Sequence, residues 1–247
     1  MDSWLKSLVQ RFKTHYPDVS RVIAERFSIK MFVGLPLTIL IVVFIINLLL
    51  IFDFVEDLIN SKSFVVADAR VSKFFLDIRS EHVAKAFYLL TLTGNNISVT
   101  ILTIIGTLLF WAKKKYHYIV ALLVTVSGSA ISIYSGKNTF HILRPAQNAY
   151  YLVKSFSFPS GHATYAMGLY GLLLYMLIRH VSTTKKRILL IVLGVLFILL
   201  LGVSRLYLGV HFLSDVLGGF MLGLLWLLTG IYVLEWRKYR LNTHTRK

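Results

Sequence analysis

The sequence predicts an all-α fold, a bundle of six transmembrane helices in a single membrane domain. Of the 247 residues, 56% are hydrophobic and only 15% are charged, whereas soluble domains of this size carry more charge. The apolar residues form six runs close to the length of about 20 residues that a bilayer span needs. No internal repeat or low-complexity tract separates these runs, so we expect one domain to contain them all.

The six predicted spans are continuous apolar segments with few charges. They cover residues 31–52, 97–112, 116–134, 160–178, 188–203 and 212–236. The transmembrane domain is therefore expected over residues 31–236, after a basic amphipathic N-terminal segment (1–30) and before a basic tail (237–247). Between spans one and two, residues 71–92 have helix-like apolar spacing, which predicts a helical segment along the membrane interface.

The basic residues predict the orientation in the membrane. Of the 27 Lys and Arg residues, 18 lie in the N-terminal segment, in the loops after spans two and four, and in the tail. The positive-inside rule places these segments in the cytoplasm, together with both termini. The net charge of +16 then reflects topology and attraction to anionic lipids, and no nucleic-acid partner is expected. The absence of cysteine excludes disulfides, thiolate metal sites and cysteine nucleophiles.

Three short polar segments lie at the outer ends of the predicted spans. Ionisable groups near a membrane usually line a cavity or pair with one another, because burying them alone is costly. The first segment contains Lys137 and Arg144, which would share one face if the segment were helical. Two such cations suit an anionic ligand, and arginine can bind phosphate through two parallel hydrogen bonds. The alternative is that both side chains extend to lipid headgroups.

The second segment, Pro159-Ser160-Gly161-His162, opens span four. Backbone N–H groups at a helix start are free to bind an anion, and the helix dipole strengthens that attraction. Gly161 allows a ligand to approach the backbone closely, and His162 lies where it could give or take a proton. The alternative is a well-capped helix with an incidental histidine.

The third segment runs from Ser204-Arg205 to His211 and Asp215. His211 and Asp215 are four residues apart at the start of span six, so a helix would place them face to face. A carboxylate bound to one imidazole nitrogen sets the tautomer and leaves the other nitrogen free to attack. The alternative is a purely structural His–Asp pair. All three segments fall on the outer side of the predicted topology.

Together, these motifs resemble the three-part signature of the type 2 phosphatidic acid phosphatase (PAP2) superfamily. The matching positions are Lys137-x6-Arg144-Pro145, Pro159-Ser160-Gly161-His162 and Ser204-Arg205-x5-His211-x3-Asp215. The resemblance covers roughly residues 85–236. It implies a PAP2-like six-helix membrane lipid phosphatase that needs no metal or other cofactor. The implied substrate is a phospholipid or polyprenyl phosphate, such as phosphatidylglycerophosphate, undecaprenyl pyrophosphate, phosphatidate or a lipid A phosphate.

The resemblance also implies a role for each matching residue. His211 would be the nucleophile that forms a phosphohistidine, Asp215 would orient it, and His162 would protonate the leaving oxygen and then activate water. The phosphoryl oxygens would be bound by Lys137, Arg144, Ser160, Gly161 and Arg205. The lack of an acidic cluster argues against bound magnesium, which takes carboxylate ligands.

Two other functions stay open at this stage. A lipid phosphotransferase would pass the phosphoryl group from the same histidine to a lipid hydroxyl, and the motifs do not separate it from a hydrolase. A transporter would place charges near the midplane in two related halves, and the sequence shows neither feature. Compact loops without cysteine favour a bacterial inner (plasma) membrane, with the active site facing the periplasm or exterior. The oligomeric state does not follow from the sequence.

Overall fold

The computed structural model describes residues 7, 10–11, 14–17, 32–60, 62–145 and 149–244, so most of the predicted segment 1–30 lies outside the described residues. From residue 32 onward the described residues form eight helices, and no described residue lies in a strand, which confirms the all-α prediction. In chain order the helices are α1 (Leu35–Asn60), α2 (Lys62–Asp77), α3 (Glu81–Leu92), α4 (Asn96–Ala112), α5 (Tyr116–Phe140), α6 (Gly161–Ile178), α7 (Thr184–Tyr207) and α8 (Leu213–His244).

Among the described residues, five helices are long and apolar enough to cross a bilayer: α1, α5, α6, α7 and α8. Helices α3 and α4 are long and apolar enough for a sixth span only when they are counted as one, with a bend of 41° at the short break between them. Large apolar side chains on α1 and α7 are exposed, as Leu49 and Leu193 illustrate. Such outward apolar faces suit contact with lipid. The prediction of six spans therefore holds when the bent pair is counted as span two.

Several predicted boundaries are wrong. The predicted interfacial segment 71–92 is not one helix, because the chain breaks between Asp77 and Glu81 into α2 and α3. Helix α3 passes the length and hydropathy test for a span only together with α4. Helices α1, α5 and α8 also continue past the predicted spans, since backbone hydrogen bonds decide where a helix ends and hydropathy does not.

The chain divides into two compact units. The first comprises Met1–Ile45 and Glu235–Lys247, and so includes the beginning of α1 and the end of α8. The second, Ile46–Leu234, contains the helices in between and every predicted site residue.

Within the second unit, α6 is the most buried of the spans, with half of its apolar window inside the protein. Its first turns lie very close to α8. A Cβ atom added to Gly223 would come within 2.5 Å of the Thr164 carbonyl oxygen, and one added to Gly219 within 2.7 Å of the Ser160 carbonyl oxygen. Small residues permit this close backbone approach between membrane helices. As a result, the start of α6 is held beside the start of α8, where the second and third polar segments lie.

Candidate active site

His211 lies in the turn between α7 and α8, two residues before α8 begins. The chain reverses there through Gly209, whose φ of 63° is readily adopted only by glycine. Asp215 follows in the first turn of α8, and its Oδ2 is 3.3 Å from His211 Nδ1. The predicted pairing is therefore present, but the prediction that both residues share one helix is wrong.

The hydrogen bonds of His211 define its tautomer. Arg144 NH1 lies 3.0 Å from His211 Nε2, and a guanidinium can only donate. Nε2 must therefore accept, so a neutral ring carries its proton on Nδ1, toward Asp215. Burial, reinforced by the charges of Arg144, Arg205 and Lys137, lowers the pKa of His211 well below its ordinary value. At neutral pH the ring is uncharged, and Nε2 holds the lone pair that a nucleophile needs.

Asp215 is fully buried and has several donors around it. Its Oδ2 accepts the backbone N–H of Phe212 at 2.7 Å and the hydroxyl of Ser157. Ser157 Oγ also lies 3.3 Å from His211 Nδ1. Sequence analysis missed Ser157, because nothing in the local sequence distinguishes it from other loop serines. Only the path of the loop before α6 brings it to the His–Asp pair.

Ser157→Ala should lower kcat by about tenfold and leave KM within about twofold, because a hydrogen bond to a charged group contributes about 1.5–3 kcal/mol. The substitution removes a donor to the carboxylate without altering the lining of the cavity described below. Phosphate release in detergent would measure both constants. Ser127→Ala, on an exposed position of α5, is the matched control. Equal rates for Ser157→Ala and the wild type would show that this hydroxyl does not support the pair.

Lys137 and Arg144 would share a helix face only if one helix contained both, and the structure shows that none does. Lys137 lies in the last turn of α5, which ends at Phe140, and His141 then adopts a left-handed conformation with φ of 51°. Arg144 belongs to the following loop, where the next residue, Pro145, disfavours a helical conformation. Both cations nevertheless line one cavity, because the loop after α5 brings Arg144 back to it.

The loop before α6 and the turn between α7 and α8 hold these two cations, mainly through backbone carbonyls. Arg144 donates from Nε to the Ser155 carbonyl at 2.7 Å, from NH2 to the Ser155 hydroxyl at 3.1 Å, and from NH1 to the Val210 carbonyl at 2.7 Å. Lys137 Nζ donates to the Phe156 carbonyl. Burial, with a contribution from Arg205, lowers the pKa of Arg144 to about 10, so the guanidinium stays charged at neutral pH.

Arg205, in the last turn of α7, is only 2% exposed. Its NH1 donates to the Thr91 hydroxyl on α3, and its guanidinium lies 5.8 Å from the centre of the Tyr151 ring. Its Nε is buried and has no hydrogen-bond partner among the described residues. Buried polar groups are normally paired, so this donor suits an anionic oxygen. Thr91 and Tyr151 were also missed by sequence analysis.

The start of α6 presents Gly161 and His162 to the same cavity. Gly94, in the break between α3 and α4, packs closely on the ring of His162, since an added Cβ would lie 3.1 Å from its Cδ2. Ser160 does not line the cavity, and its amide donates to the Asp215 carbonyl at 3.0 Å. Its hydroxyl is buried without a hydrogen-bond partner among the described residues. Of these two residues, Gly161 lines the cavity and Ser160 does not.

These side chains surround one cavity of about 740 Å³. Six of the eight predicted site residues line it: Lys137, Arg144, Gly161, His162, Arg205 and His211. The cavity also has an apolar side, formed by Leu92, Ile97, Ala130, Ile133 and Tyr134. The described residues contain no cluster of three or more His, Asp or Glu side chains that could hold a metal ion. Metal independence stays a prediction.

Comparisons with known proteins assign this chain to a protein family. The family model of the PAP2 superfamily matches residues 115–239. Phosphatidylglycerophosphatase B of Bacillus subtilis (strain 168) is 33% identical over 183 residues, which cover 73% of this chain and 89% of that protein.

Solved structures agree with this assignment. The crystal structure of a transmembrane PAP2 type phosphatidylglycerolphosphate phosphatase from Bacillus subtilis matches with a TM-score of 0.69 and 29% identity, over 76% of this chain and 94% of that one. The structure of Aquifex aeolicus LpxE, at 22% identity and a TM-score of 0.52 over 66% of this chain and 94% of that one, supports the fold alone. The predicted fold class and the predicted assignment to the membrane lipid phosphatases are thus confirmed. The chain therefore belongs to the PAP2 superfamily.

Proposed function

We propose that this protein hydrolyses the phosphomonoester or pyrophosphate headgroup of a membrane lipid through a phosphohistidine on His211. The observation that carries the proposal is the 3.0 Å contact between Arg144 NH1 and His211 Nε2, from which the tautomer follows, in a cavity lined by three cations. The apolar side of that cavity suits the lipid part of such a substrate. Phosphatidylglycerophosphate is the first candidate, because the Bacillus subtilis relatives are named for it.

In the first step, phosphoryl oxygens take the place of His211 as partners of Arg144. Lys137, Arg144 and Arg205 hold these oxygens and meet the charge that develops on them. His211 Nε2 attacks phosphorus while the bond to the leaving oxygen breaks, and His162, in its protonated form, donates a proton to that oxygen and becomes neutral. Asp215 keeps the Nδ1 proton in place and stabilises the ring as it becomes positively charged.

In the second step, the neutral His162 takes a proton from water, and the water oxygen attacks the phosphorus. The bond between phosphorus and Nε2 breaks, inorganic phosphate leaves, and His211 returns to its neutral tautomer. A lipid hydroxyl in place of water would give the phosphotransferase reaction, with the same groups in the same roles.

The proposal predicts release of inorganic phosphate in detergent with excess EDTA and without an acceptor lipid. Phosphatidylglycerophosphate, a polyprenyl pyrophosphate, phosphatidate and a lipid A phosphate would be compared as substrates. We expect EDTA to leave the rate unchanged, because the site residues supply the positive charge that magnesium otherwise provides. Activity that is lost in EDTA and restored by magnesium would contradict metal independence. Phosphate that appears only on an added lipid hydroxyl would identify a phosphotransferase.

We also propose that the active site faces away from the cytoplasm and that both termini are cytoplasmic, as the distribution of basic residues predicts. Because the chain has no cysteine, Leu152→Cys would introduce a single thiol at a position that is 90% exposed, in the loop between α5 and α6. A membrane-impermeant maleimide should label it in intact cells. Ser182→Cys, in the loop after α6, is the matched control and should react only after lysis. The reverse pattern would overturn the topology.

A further inference from the structure

Helix α8 begins without a polar side chain at its N-cap. Ser, Thr, Asp or Asn usually accepts a hydrogen bond from an amide of the first turn, but the residue before Leu213 is Phe212, which cannot. Asp215 Oδ2 accepts the Phe212 amide at 2.7 Å. This is the hydrogen bond that the acidic residue makes in a capping box. The Ser214 amide needs an acceptor from elsewhere.

Asp68, on α2, supplies that acceptor. Its Oδ1 accepts the Ser214 amide at 2.9 Å, and its Oδ2 accepts the Ser214 hydroxyl at 2.6 Å. Both side chains are buried, at 9% and 2% exposure. A carboxylate is favoured at a helix N-terminus by the positive end of the dipole. Two residues that are 146 positions apart therefore complete the cap of α8 together.

Apolar packing holds Asp68 in this place. Val71 and Phe75, from the next two turns of α2, pack against the buried cluster of Ala163, Leu206 and Val216. That cluster joins α6, α7 and α8, which carry His162, Arg205 and Asp215. Helix α2 is thus anchored to the same three helices that present the site.

We propose that Asp68 is a positioning residue of the active site. By binding both the amide and the hydroxyl of Ser214, it fixes the first turn of α8 and with it the Asp215 carboxylate that orients His211. Asp68 does not line the cavity, so it acts through Ser214 and Asp215 and not on the substrate. The inference rests on the proposed function for its kinetic consequence, although the capping geometry stands without it.

Kinetics of Asp68→Asn and Ser214→Ala would test the effect on turnover. We expect kcat to fall by about tenfold to a hundredfold, because small displacements of a catalytic group have effects of this size. KM should stay within about twofold, since the cation-lined cavity is unchanged. Asp77→Asn, on an exposed position of the same helix, is the matched control and should retain wild-type rates. A folded Asp68→Asn protein with kcat within twofold of the wild type would overturn the proposal.

A double-mutant cycle separates positioning from general stability. If Asp68 acts through Asp215, Asp68→Asn should slow the Asp215→Asn protein no further, whereas independent effects multiply. If Asp68→Asn lowers the kcat of the Asp215→Asn protein by the same factor as it lowers the kcat of the wild type, the proposed route through Asp215 is contradicted. Should Asp68→Asn fail to fold in detergent, Ser214→Ala gives the same cycle, because it keeps the backbone amide.

Hydrogen exchange of peptides spanning residues 210–216 adds a readout that does not require activity. We expect faster exchange in Asp68→Asn than in the wild type and no change in Asp77→Asn, because the cap protects the first turn of α8. Unchanged exchange in Asp68→Asn would refute the positioning role. A wild-type protein that releases no phosphate would instead refute the proposed function, so the two failures are distinguishable.

Discussion

His211→Ala should abolish both phosphate release and covalent labelling of the protein, whereas His162→Ala should abolish release and retain the label. In the proposed mechanism His211 Nε2 attacks phosphorus, so its removal should leave no nucleophile, with a loss of about 10⁴-fold or more. His162 has the proposed role of protonating the leaving oxygen and then activating water. An aryl phosphate, whose leaving group needs little protonation, should still phosphorylate His162→Ala, but the phosphoenzyme should persist. Rapid quench with phosphorus-labelled substrate would measure both species.

The chemistry of the label provides a further check on this experiment. Phosphorus bonded to nitrogen is labile in acid, so the label should survive an alkaline quench and disappear in acid. His82→Ala, on an exposed position of α3, is the matched histidine control and should behave as the wild type. Labelled His211→Ala protein, or a wild-type label on His162, would reverse the assigned roles.

Arg205→Lys should lower kcat by about 10²–10³-fold, because removing one preorganised donor to a developing oxyanion has an effect of that size. The substitution keeps the positive charge but loses the planar guanidinium, whose N–H groups can donate two parallel hydrogen bonds. Arg205 is 2% exposed, donates through NH1 to Thr91, and has a buried Nε without a partner among the described residues. A lysine cannot reproduce the contact with Thr91 and also present a second donor in a fixed direction.

The ratio of the kinetic effects shows where Arg205 acts. A fall in kcat with little change in KM identifies an interaction made mainly in the transition state, whereas a rise in KM alone identifies ground-state binding. Arg70→Lys, on an exposed position of α2, is the matched control and should leave both constants unchanged. Full activity in Arg205→Lys would show that the planar fork does not bind phosphate.

Much of the site was predictable from residue type and membrane position. Hydropathy predicts the spans, and the basic residues predict a common side for the three polar segments. Charged groups there must share a cavity or find partners. The structure agrees, because Lys137, Arg144, His162, Arg205 and His211 line one cavity. These inferences depend on chemistry and composition, which the sequence states directly.

Local geometry was less predictable. Lys137 and Arg144 would share a face on one helix, but the left-handed His141 ends α5 between them. His211 was expected on α8, but the turn through Gly209 places it before the helix. In both cases a helix boundary lies between the two residues. The turn conformation, and not the helical period, therefore sets the directions of their side chains.

The sequence by itself determined that this chain is a helical membrane protein of the PAP2 superfamily, and it pointed to the residues that we propose as the site. Only the tertiary structure decided how these residues are supported. Ser157 reaches Asp215 across 58 positions, Arg205 reaches Thr91 across 114, and Asp68 reaches Ser214 across 146. Such pairs leave no periodic or compositional signal, because their distance in space is set by helix packing and loop paths and not by their spacing along the chain.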